Sequence, residues 1–339
     1  MRVLVVKTSS LGDVIHTLPA LTDAARAHPG IVFDWVVEEA FAEVPAWHPA
    51  VSSVIPVAIR RWRKNEVATL RSGELQRSRS AVRAAHYDLV IDAQGLLKSA
   101  WVARWANAPI AGLDRESVRE PLAALAYRYR FAVSRQLHAV ERVRALFAQA
   151  LDYPLSTETG DYGLDKSRFP LPDAITGFAD GAPLVTFLHG TTRAAKYWPE
   201  LYWQMLCERV SAAGCRVLLP WGNPAERDRA ERIAALSPAA CVLPRLDLRS
   251  IAGVLLRSRA LVAVDTGLAH LAAALDVPAV ALYGPTSPLL VGTYGRHQLH
   301  LEAKELPPVT DPTIQPPEMA PLTPGRVWGA LAPLLDSAR

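Results

Sequence analysis

The sequence predicts an α/β protein made of two doubly wound, Rossmann-like domains. Short apolar, β-branched runs alternate along the 339-residue chain with longer segments of helical periodicity. Because these runs are almost entirely apolar, they are typical of parallel strands that helices cover on both faces. At roughly 150 residues per domain, the length of the chain corresponds to two such domains.

The alternation predicts eight strands with helices between them. The helical patterns lie at 14–27, 138–151, 199–213 and 247–259, and a final short helix is expected at 325–337. The predicted strands are Val3–Lys7, Val32–Val37, Val54–Ile59, Leu89–Asp92, Leu184–His189, Arg216–Pro220, Leu261–Asp265 and Ala279–Tyr283.

The boundary between the domains is expected where the alternation weakens, between residues 152 and 183. Gly160 and the proline-containing run Phe169–Asp173 are typical of a connector. We therefore predict an N-terminal domain over 1–175 and a C-terminal domain over 176–339. Residues 306–324 hold seven prolines, and the packing of this segment and of the final helix back toward the N-terminal domain stays open.

The composition excludes several classes of protein. Half of the residues are hydrophobic and 21% are charged, so the chain can bury a large core and is not disordered. The three cysteines are far apart, which indicates neither a disulfide framework nor a thiolate zinc site. Neither a signal peptide nor an apolar run of the ~18 residues of a membrane span is found. We therefore expect a reduced, cytoplasmic protein.

The charge of +4 is distributed unevenly along the chain. Residues 51–150 hold 17 basic and 8 acidic side chains, a net charge of +9, whereas the remaining residues hold 20 and 25, a net charge of −5. The first of these segments is therefore expected to meet an anionic partner.

The loop after the first predicted strand is a candidate site, because ligands of doubly wound sheets bind beyond the carboxyl ends of strands. It runs from Lys7 to Asp13 and contains Gly12, which permits a tight turn. It matches neither G-x-G-x-x-G nor a Walker loop, which disfavours a dinucleotide-dependent dehydrogenase. Asp13, at the start of the next helix, fits two interpretations: an N-cap or a general base.

A second candidate loop, after the strand that ends at His189, contains Thr191, Thr192 and Lys196. Hydroxyls combined with an ammonium suit phosphate binding. An ordinary polar loop with a surface lysine is the alternative. A further loop leads to Glu226, which fits either a contact to adenine or ribose or a first-turn acid that complements the helix dipole.

The most specific local pattern is the turn from Asp265 through Thr266, Gly267 and Leu268. A buried strand ends here and a helix begins with unpaired N–H groups, which favours the binding of a diphosphate. Because Asp265 would repel phosphate, we expect it to bind a sugar hydroxyl or to brace the loop. His270, one turn into the helix, fits either a ligand contact or a core histidine.

The cluster Arg60, Arg61, Arg63 and Lys64 follows another predicted strand. It fits a solvated helix face, a site for a phosphorylated or carboxylated ligand, or contact with an anionic membrane. No nucleic-acid-binding motif accompanies the charge, so no nucleic-acid partner is expected. The sequence also lacks D-x-D, H-E-x-x-H and G-x-S-x-G patterns, which leaves a metal-centred site or a serine hydrolase without support.

These segments resemble the lipopolysaccharide heptosyltransferases, which are ADP-heptose glycosyltransferases. The resemblance begins with the run 5–24 and covers about residues 1–300, whereas the proline-rich tail departs from the family pattern. Further runs are similar, in particular, to the members that act on the inner Kdo sugar. These runs are 33–39, 54–64, 91–96, 136–142, 191–199, 219–222 and 264–270.

The resemblance implies a fold of the GT-B type, with two Rossmann-like doubly wound domains facing across a cleft. It also implies transfer of L-glycero-D-manno-heptose from ADP-heptose to the inner Kdo of Kdo-lipid A, with inversion and with neither a metal nor another cofactor. A later-acting enzyme with a heptose acceptor, or a non-catalytic binder of nucleotide or anionic glycolipid, stays open. We expect a monomer, held peripherally by electrostatic attraction on the cytoplasmic face of the inner membrane.

The resemblance also assigns roles to individual residues. Asp13 corresponds to the family's base, and Lys196 to a cation at the leaving group. Leu246 stands where a methionine is expected near the adenine, a modest change in an apolar contact. The donor-binding residues are then Thr191, Thr192, Lys196, Glu226, Leu246, Asp265, Thr266, Gly267, Leu268 and His270. The acceptor-binding residues are Ser10, Gly12, Arg60, Arg61, Arg63, Lys64, Lys98 and Arg119.

Overall fold

Twelve strands form two parallel, six-stranded sheets within the residues that the computed structural model describes, which are 1–64, 69, 72–178, 181–309, 311 and 313–336. The first sheet contains β1 (Arg2–Val6), β2 (Val32–Glu38), β3 (Val51–Val57), β4 (Leu89–Asp92), β5 (Ile110–Leu113) and β6 (Tyr129–Phe131). The second contains β7 (Leu184–Leu188), β8 (Arg216–Leu219), β9 (Ala240–Val242), β10 (Ser258–Val264), β11 (Ala279–Tyr283) and β12 (Gln298–Glu302).

Helices connect these strands in the order that a doubly wound fold requires. In the first half they are α1 (Leu11–Ile15), α2 (Leu18–Ala27), α3 (Ile59–Trp62), α4 (Glu74–Arg83), α5 (Leu97–Ala103) and α6 (Ala139–Leu151). In the second half they are α7 (Glu200–Ala212), α8 (Pro224–Ala234), α9 (Leu248–Arg257), α10 (Gly267–Ala274), α11 (Pro288–Val291) and α12 (Pro324–Asp336).

The two sheets have the same topology. The first has the order β3-β2-β1-β4-β5-β6, and the second has the order β12-β11-β10-β7-β8-β9, which is the same sequence of strands read from the other edge. In both sheets the strand order reverses beside the first strand, between β1 and β4 and between β7 and β10. Ligands of doubly wound folds bind at such a switch point. The predicted fold class of two Rossmann-like units is therefore confirmed.

The chain divides into an N-terminal unit, Met1–Asp165, and a C-terminal unit, Lys166–Arg339. This division lies ten residues before the predicted end of the first domain at residue 175. The residues in between were read as a connector, yet Ile175 is buried in an apolar cluster with Leu184 and Val254 of the C-terminal unit. Ile175, which follows the proline-containing run Phe169–Asp173, therefore anchors this segment to the C-terminal unit.

The final helix packs on the sheet of the C-terminal unit. Val327 and Leu331 of α12 are buried in the same apolar cluster as Val262 of β10. Leu322, just before α12, accepts a hydrogen bond from the buried indole of Trp198. Residues 310 and 312 of the predicted proline-rich segment, and residue 337 of the predicted helix, lie outside the described residues.

Local boundaries differ from the prediction in two places near the first candidate loop. The helix predicted at 14–27 is two helices, α1 and α2, and Pro19 lies in the first turn of α2. A proline there lacks an N–H group that the helix would not use, but in mid-helix it would break a hydrogen bond. The predicted strand Val54–Ile59 is shifted to β3, because Ile59 begins α3.

Candidate active site

Asp13 is the third residue of α1, and Ser10 is the N-cap. The interpretation of Asp13 as the N-cap was therefore wrong. The backbone N–H of Ser10 donates to Asp13 Oδ2 over 2.9 Å, and the Ser10 hydroxyl donates to the same oxygen over 3.0 Å. This reciprocal arrangement, a capping box, fixes one oxygen of the carboxylate. The other oxygen, Oδ1, is left for a different partner.

That partner is Lys7, which the sequence analysis did not assign to the site. Its ammonium is buried, lies 3.6 Å from Asp13 Oδ1 and donates a hydrogen bond of 2.9 Å to the carbonyl of Ala93. Burial alone raises the pKa of Asp13, but the charge of Lys7, the two hydrogen bonds from Ser10 and the charge of Arg119 outweigh it. The pKa of Asp13 is therefore below its ordinary value, so the group is a carboxylate at neutral pH.

Gln94 holds the loop that leads to Asp13, and it too was missed in the sequence. Its Oε1 accepts hydrogen bonds from the N–H groups of Thr8 (2.9 Å) and Ser9 (3.1 Å), and its Nε2 donates to the carbonyl of Ser9 over 2.7 Å. Gln94 is fixed in turn by Asp92, whose Oδ1 accepts from the Gln94 N–H over 3.0 Å. One buried side chain thus satisfies three backbone groups of the loop that leads to Asp13.

Four of the predicted acceptor residues lie close to one another in the N-terminal unit. Burial lowers the pKa of Lys98, and Arg60, Arg63 and Arg119 lower it further, while Glu38 opposes them. Such effects require each of these charges to lie within about a Debye length of Lys98. Arg119 also acts on Asp13, so one member of this cationic cluster lies near the carboxylate.

Arg61 and Lys64 differ from these four residues. Arg61 forms ion pairs with Glu39, at 3.1 Å, and with Glu74, at 2.9 Å. Hydrogen bonds from Arg61 to Glu39 and Glu74 raise the pKa of the guanidinium further. Lys64 is exposed. An anionic ligand at Arg61 would have to compete with the carboxylates of Glu39 and Glu74. The sequence pattern around Arg61 did not indicate these two ion pairs.

In the C-terminal unit, Asp265 is the centre of a polar group. The ammonium of Lys196 lies 2.5 Å from Asp265 Oδ2, and the hydroxyl of Thr286 donates to the same oxygen over 2.8 Å. Thr191 donates to the backbone carbonyl of Asp265 over 3.2 Å. The loops after β7, β10 and β11 are therefore joined at one edge of the sheet. Thr286 was not predicted, although it follows a buried strand as the other members do.

The helix α10 begins directly beside this group. Thr266 is its N-cap, and Gly267 and Leu268 are its first two residues. The N–H groups of a first turn have no partner within the helix and carry the positive end of its dipole. Because Lys196 is paired with Asp265, which directly precedes the N-cap, its positive charge lies close to these N–H groups. The combination favours the binding of an anion at this edge of the sheet. His270 lies in the same helix and is buried.

Glu226 brings a fourth loop, the one after β8, to the same edge. It is the third residue of α8, where its N–H donates to the N-cap Asn223 and its Oε2 accepts from the N–H of Gly222 over 2.7 Å. A Cβ atom on Gly190 would lie 2.9 Å from the Glu226 carboxyl carbon. Glycine therefore lets the Thr191 loop approach this carboxylate without a shift of the Glu226 side chain.

Two further residues predicted for the donor site are Thr192 and Leu246. Thr192 is exposed, whereas its neighbour Thr191 is buried. Leu246 is half-buried and packs against the apolar cluster that contains Leu218 and Leu243. The predicted donor residues therefore follow β7, β8, β9 and β10, which are neighbours in one sheet.

Neither a membrane-spanning helix nor a cluster of metal ligands is present among the residues that the structure describes. No helix there is long and apolar enough to cross a bilayer. No group of three or more His, Cys, Asp or Glu side chains in the described part of the chain is arranged to hold a metal ion.

The paired Rossmann-like units, one with an ionised carboxylate beside cations and one with an anion-binding edge, define a glycosyltransferase of the GT-B type. Comparison with known proteins makes this specific. The chain belongs to glycosyltransferase family 9 (heptosyltransferase), whose model matches residues 75–315, more than half of the sequence.

Individual relatives agree with this assignment. The chain is 63% identical over 302 residues to lipopolysaccharide heptosyltransferase 1 of Pseudomonas aeruginosa, with 89% of this chain and 83% of the relative covered. It is 50% identical over 301 residues to lipopolysaccharide heptosyltransferase 1 of Escherichia coli K12, covering 88% and 92%. Lipopolysaccharide heptosyltransferase 2 of Salmonella typhimurium is 27% identical over 322 residues, covering 85% and 84%.

Solved structures are similar over almost the whole chain. The structure of E. coli heptosyltransferase WaaC with ADP superposes with a TM-score of 0.89 at 46% identity, covering 98% of this chain and all of the other. WaaC with ADP-2-deoxy-2-fluoro heptose has a TM-score of 0.86 at 45% identity, covering 98% and 99%. The predicted resemblance and the predicted heptosyltransferase class are both confirmed.

Proposed function

We propose that this enzyme transfers L-glycero-D-manno-heptose from ADP-heptose to the inner Kdo sugar of Kdo-lipid A, with inversion at the anomeric carbon. The observation that carries the proposal is the ionised Asp13, whose charge interacts with Arg119, a member of the cationic cluster that also contains Arg60 and Lys98. A base next to several cations suits an acceptor hydroxyl on an anionic sugar. Kdo carries a carboxylate, whereas a heptose acceptor would supply less charge at that point.

The relatives support the same choice of acceptor. Identity to heptosyltransferase 1 enzymes reaches 63% and 50%, against 27% for a heptosyltransferase 2. The similar WaaC structures contain ADP in one case and an ADP-heptose analogue in the other, which supports ADP-heptose as the donor here.

Asp13 acts as the general base in this proposal. Its Oδ1 accepts the proton of the Kdo hydroxyl as that oxygen forms a bond to the anomeric carbon. The bond from the anomeric carbon to the phosphate oxygen breaks in the same displacement, through an oxocarbenium-like state, and ADP leaves with the bonding electrons. Since Ser10 holds only Oδ2, Oδ1 can turn from Lys7 to the incoming hydroxyl.

Lys196 and the first N–H groups of α10, at Gly267 and Leu268, stabilise the charge that grows on the diphosphate of ADP. Asp265 holds Lys196 in place before the donor binds. Fixed cations of this kind do the work that a divalent metal does in other glycosyltransferases, so we expect no metal requirement. Activity that survives treatment with EDTA, and that added Mg²⁺ does not raise, would agree with this.

The remaining predicted residues surround the two substrates. On the donor side, Thr191 and Thr192 bind phosphate, and Glu226 binds the ribose or adenine. Leu246, Thr266 and His270 make the remaining contacts to the donor. On the acceptor side, Ser10 and Gly12 shape the base loop, and the basic residues bind carboxylate and phosphate groups. We propose that the enzyme is a monomer, bound peripherally at the cytoplasmic face of the inner membrane.

The decisive experiment incubates the enzyme with ADP-heptose and Kdo-lipid A and weighs the product by mass spectrometry. A gain of one heptose, with ADP released, is the expected result. Transfer only to an acceptor that already carries heptose would instead assign the enzyme to a later step. Asp13→Asn, which keeps the size of the side chain, should lose about 10²–10⁴ in kcat while ADP-heptose still binds in calorimetry. Near-normal turnover of that variant would remove Asp13 from the role of base.

A further inference from the structure

Four large apolar side chains of the N-terminal unit lie exposed on two neighbouring helical segments. Leu97 and Trp101 of α5 are 50% and 48% exposed, and Leu122 and Leu125 of the 3-10 helix Pro121–Ala126 are 59% and 71% exposed. Residues four apart lie on one face of an α-helix, and residues three apart lie on one face of a 3-10 helix. Each segment therefore presents a pair of apolar side chains on a single face. We call these four residues the apolar ridge.

The two segments that carry the apolar ridge are joined at their starts. The N–H of Leu97 donates to Glu120 Oε2 over 2.6 Å, and the N–H of Glu120 donates to the carbonyl of Gly95 over 3.1 Å. These bonds fix the start of α5 to the start of the 3-10 helix. The carboxylate of Glu120 is thereby used as a helix-terminal acceptor.

Trp101 is unusual among the nine tryptophans of this chain. Six of the others are buried, and Trp221 and Trp328 are half-buried. The indole of Trp101 contacts Trp105 edge-on, with ring centroids 4.8 Å apart, which holds it in one orientation at the surface. A tryptophan side chain that contacts apolar groups on one side and water on the other is typical of membrane interfaces.

The charges beside the apolar ridge are mainly basic. Residues 97–104 and 121–130 contain Lys98, Arg104, Arg128 and Arg130, whereas Glu120, whose carboxylate accepts the Leu97 N–H, is an acidic side chain at the edge of the ridge. Arg104 is exposed and lies on the same face of α5 as Leu97, seven residues further on. Arg128 lies over the ring of the exposed Tyr129 at 5.6 Å. An apolar centre with a basic rim is complementary to an anionic lipid surface.

We propose that the apolar ridge docks this enzyme on an anionic bilayer, with its four side chains at the level of the headgroups and the surrounding cations on lipid phosphates. The proposal rests on the proposed function only in that a lipid-linked acceptor requires contact with a membrane. It differs from docking through Arg60 and its neighbours, because apolar burial does not vanish at high salt.

The test is binding to vesicles of phosphatidylcholine with roughly one third phosphatidylglycerol, compared with pure phosphatidylcholine. The full chain should sediment with the anionic vesicles, and part of the binding should persist in high salt. Leu122→Glu with Leu125→Glu should weaken the apparent partition constant at least about tenfold. Because both side chains are mostly exposed, the fold should tolerate these changes. Leu201→Glu with Leu236→Glu changes two exposed leucines of the C-terminal unit and is the matched control.

A second readout does not depend on those variants. Brominated lipids should quench part of the tryptophan emission, and Trp101→Phe should remove most of that quenching, because Trp101 is the exposed tryptophan. Equal vesicle binding by the wild type and the Leu122/Leu125 variant would overturn the proposal. The proposal would also be overturned if the wild type formed dimers, the variant did not, and neither bound vesicles. The surface would then be an interface between copies of this chain.

Activity separates this proposal from the proposed function. With a water-soluble Kdo acceptor that lacks lipid chains, the Leu122/Leu125 variant should transfer heptose at the wild-type rate, while its rate on Kdo-lipid A in vesicles should fall at least about tenfold. Absence of transfer by the wild type to either acceptor would reject the proposed function but leave the vesicle result as an independent measurement of the ridge.

Discussion

The buried ammonium of Lys7 lies 3.6 Å from Oδ1 of Asp13, the carboxylate oxygen that Ser10 does not hold. Lys7 is fixed by its hydrogen bond to the Ala93 carbonyl. The pair gives the proposed base two properties at once. Its charge is stabilised at neutral pH, and its reacting oxygen has a partner that can be exchanged for a substrate hydroxyl. A lowered pKa makes a weaker base, but one that is deprotonated in nearly every molecule.

We predict that Lys7→Met moves the acidic limb of the pH–rate profile to higher pH. The charge of Lys7 lowers the pKa of Asp13, so its removal lets burial raise that pKa. The base is active only when deprotonated, and kcat/KM should therefore begin to fall at a higher pH in the variant. Lys166→Met removes an exposed lysine paired with Asp276 and should leave the limb unchanged. An unshifted limb in Lys7→Met would mean that Asp13 does not control it.

The Lys196–Asp265 pair leads to a prediction about donor affinity. Lys196→Met should weaken ADP binding about 10–100-fold, because a charge-assisted hydrogen bond contributes roughly 1.5–3 kcal/mol. The measurement is calorimetric titration with ADP. Lys304→Met, in the same unit, removes an ammonium that is about half exposed and pairs with Glu302, and it should bind ADP normally. Unchanged ADP affinity in Lys196→Met would contradict a role at the diphosphate.

Gln94 is expected to affect turnover and not donor binding. Gln94→Leu removes the three hydrogen bonds to Thr8 and Ser9, so the loop that carries Asp13 loses its brace. A displacement of about 1 Å at a catalytic group can cost about 10² in rate, and kcat should fall by 10–100-fold with ADP affinity unchanged. Gln149→Leu, whose amide makes longer bonds at the surface, is the control. Equal losses of kcat and of ADP affinity would indicate general destabilisation.

The sequence predicted eight of the twelve described strands, including the four central ones, and missed β5, β6, β9 and β12. The central strands β1, β4, β7 and β10 are buried on both faces and therefore appear as continuous apolar runs. In contrast, β6 is exposed at Tyr129 and Arg130, and β12 is exposed at Leu299 and His300. An outer strand that is covered only in part has no such run, and only its pairing in the folded sheet identifies it.

The candidate site was predictable where a residue follows a strand, and not where its role depends on a distant partner. Asp265 stands at the end of an apolar run, and Asp13 and Lys196 lie in segments that follow such runs, which made all three candidates. Gln94 contacts the loop of Thr8 across 86 residues of sequence, and no local pattern indicates such a contact. The same distance separates Lys7 from Ala93. The sheet order, which brings β4 beside β1, creates these contacts.

The last prediction concerns stability and pH. His48 is buried, its Nδ1 accepts the Ala50 N–H over 3.2 Å, and its Nε2 lies 3.0 Å from the Thr22 hydroxyl. Burial lowers the pKa of His48 to about 4, against the smaller opposing effect of Asp161. An unfolded chain has an ordinary pKa of about 6.5 at this position and therefore binds more protons between pH 4 and 6.5. Stability should rise with pH across that window.

Between pH 7.5 and 5, this difference should cost the N-terminal unit about 2 kcal/mol of its free energy of unfolding. Urea unfolding at the two pH values measures it, with a probe such as hydrogen exchange that reports on this unit. His48→Gln keeps polar atoms near Thr22 and Ala50 but cannot titrate, so its loss of stability on acidification should be smaller by that amount. The exposed His86 provides a matched control, because His86→Gln should leave the wild-type dependence intact. An equal dependence in His48→Gln and in wild type would show that His48 is not the group whose protonation destabilises the fold.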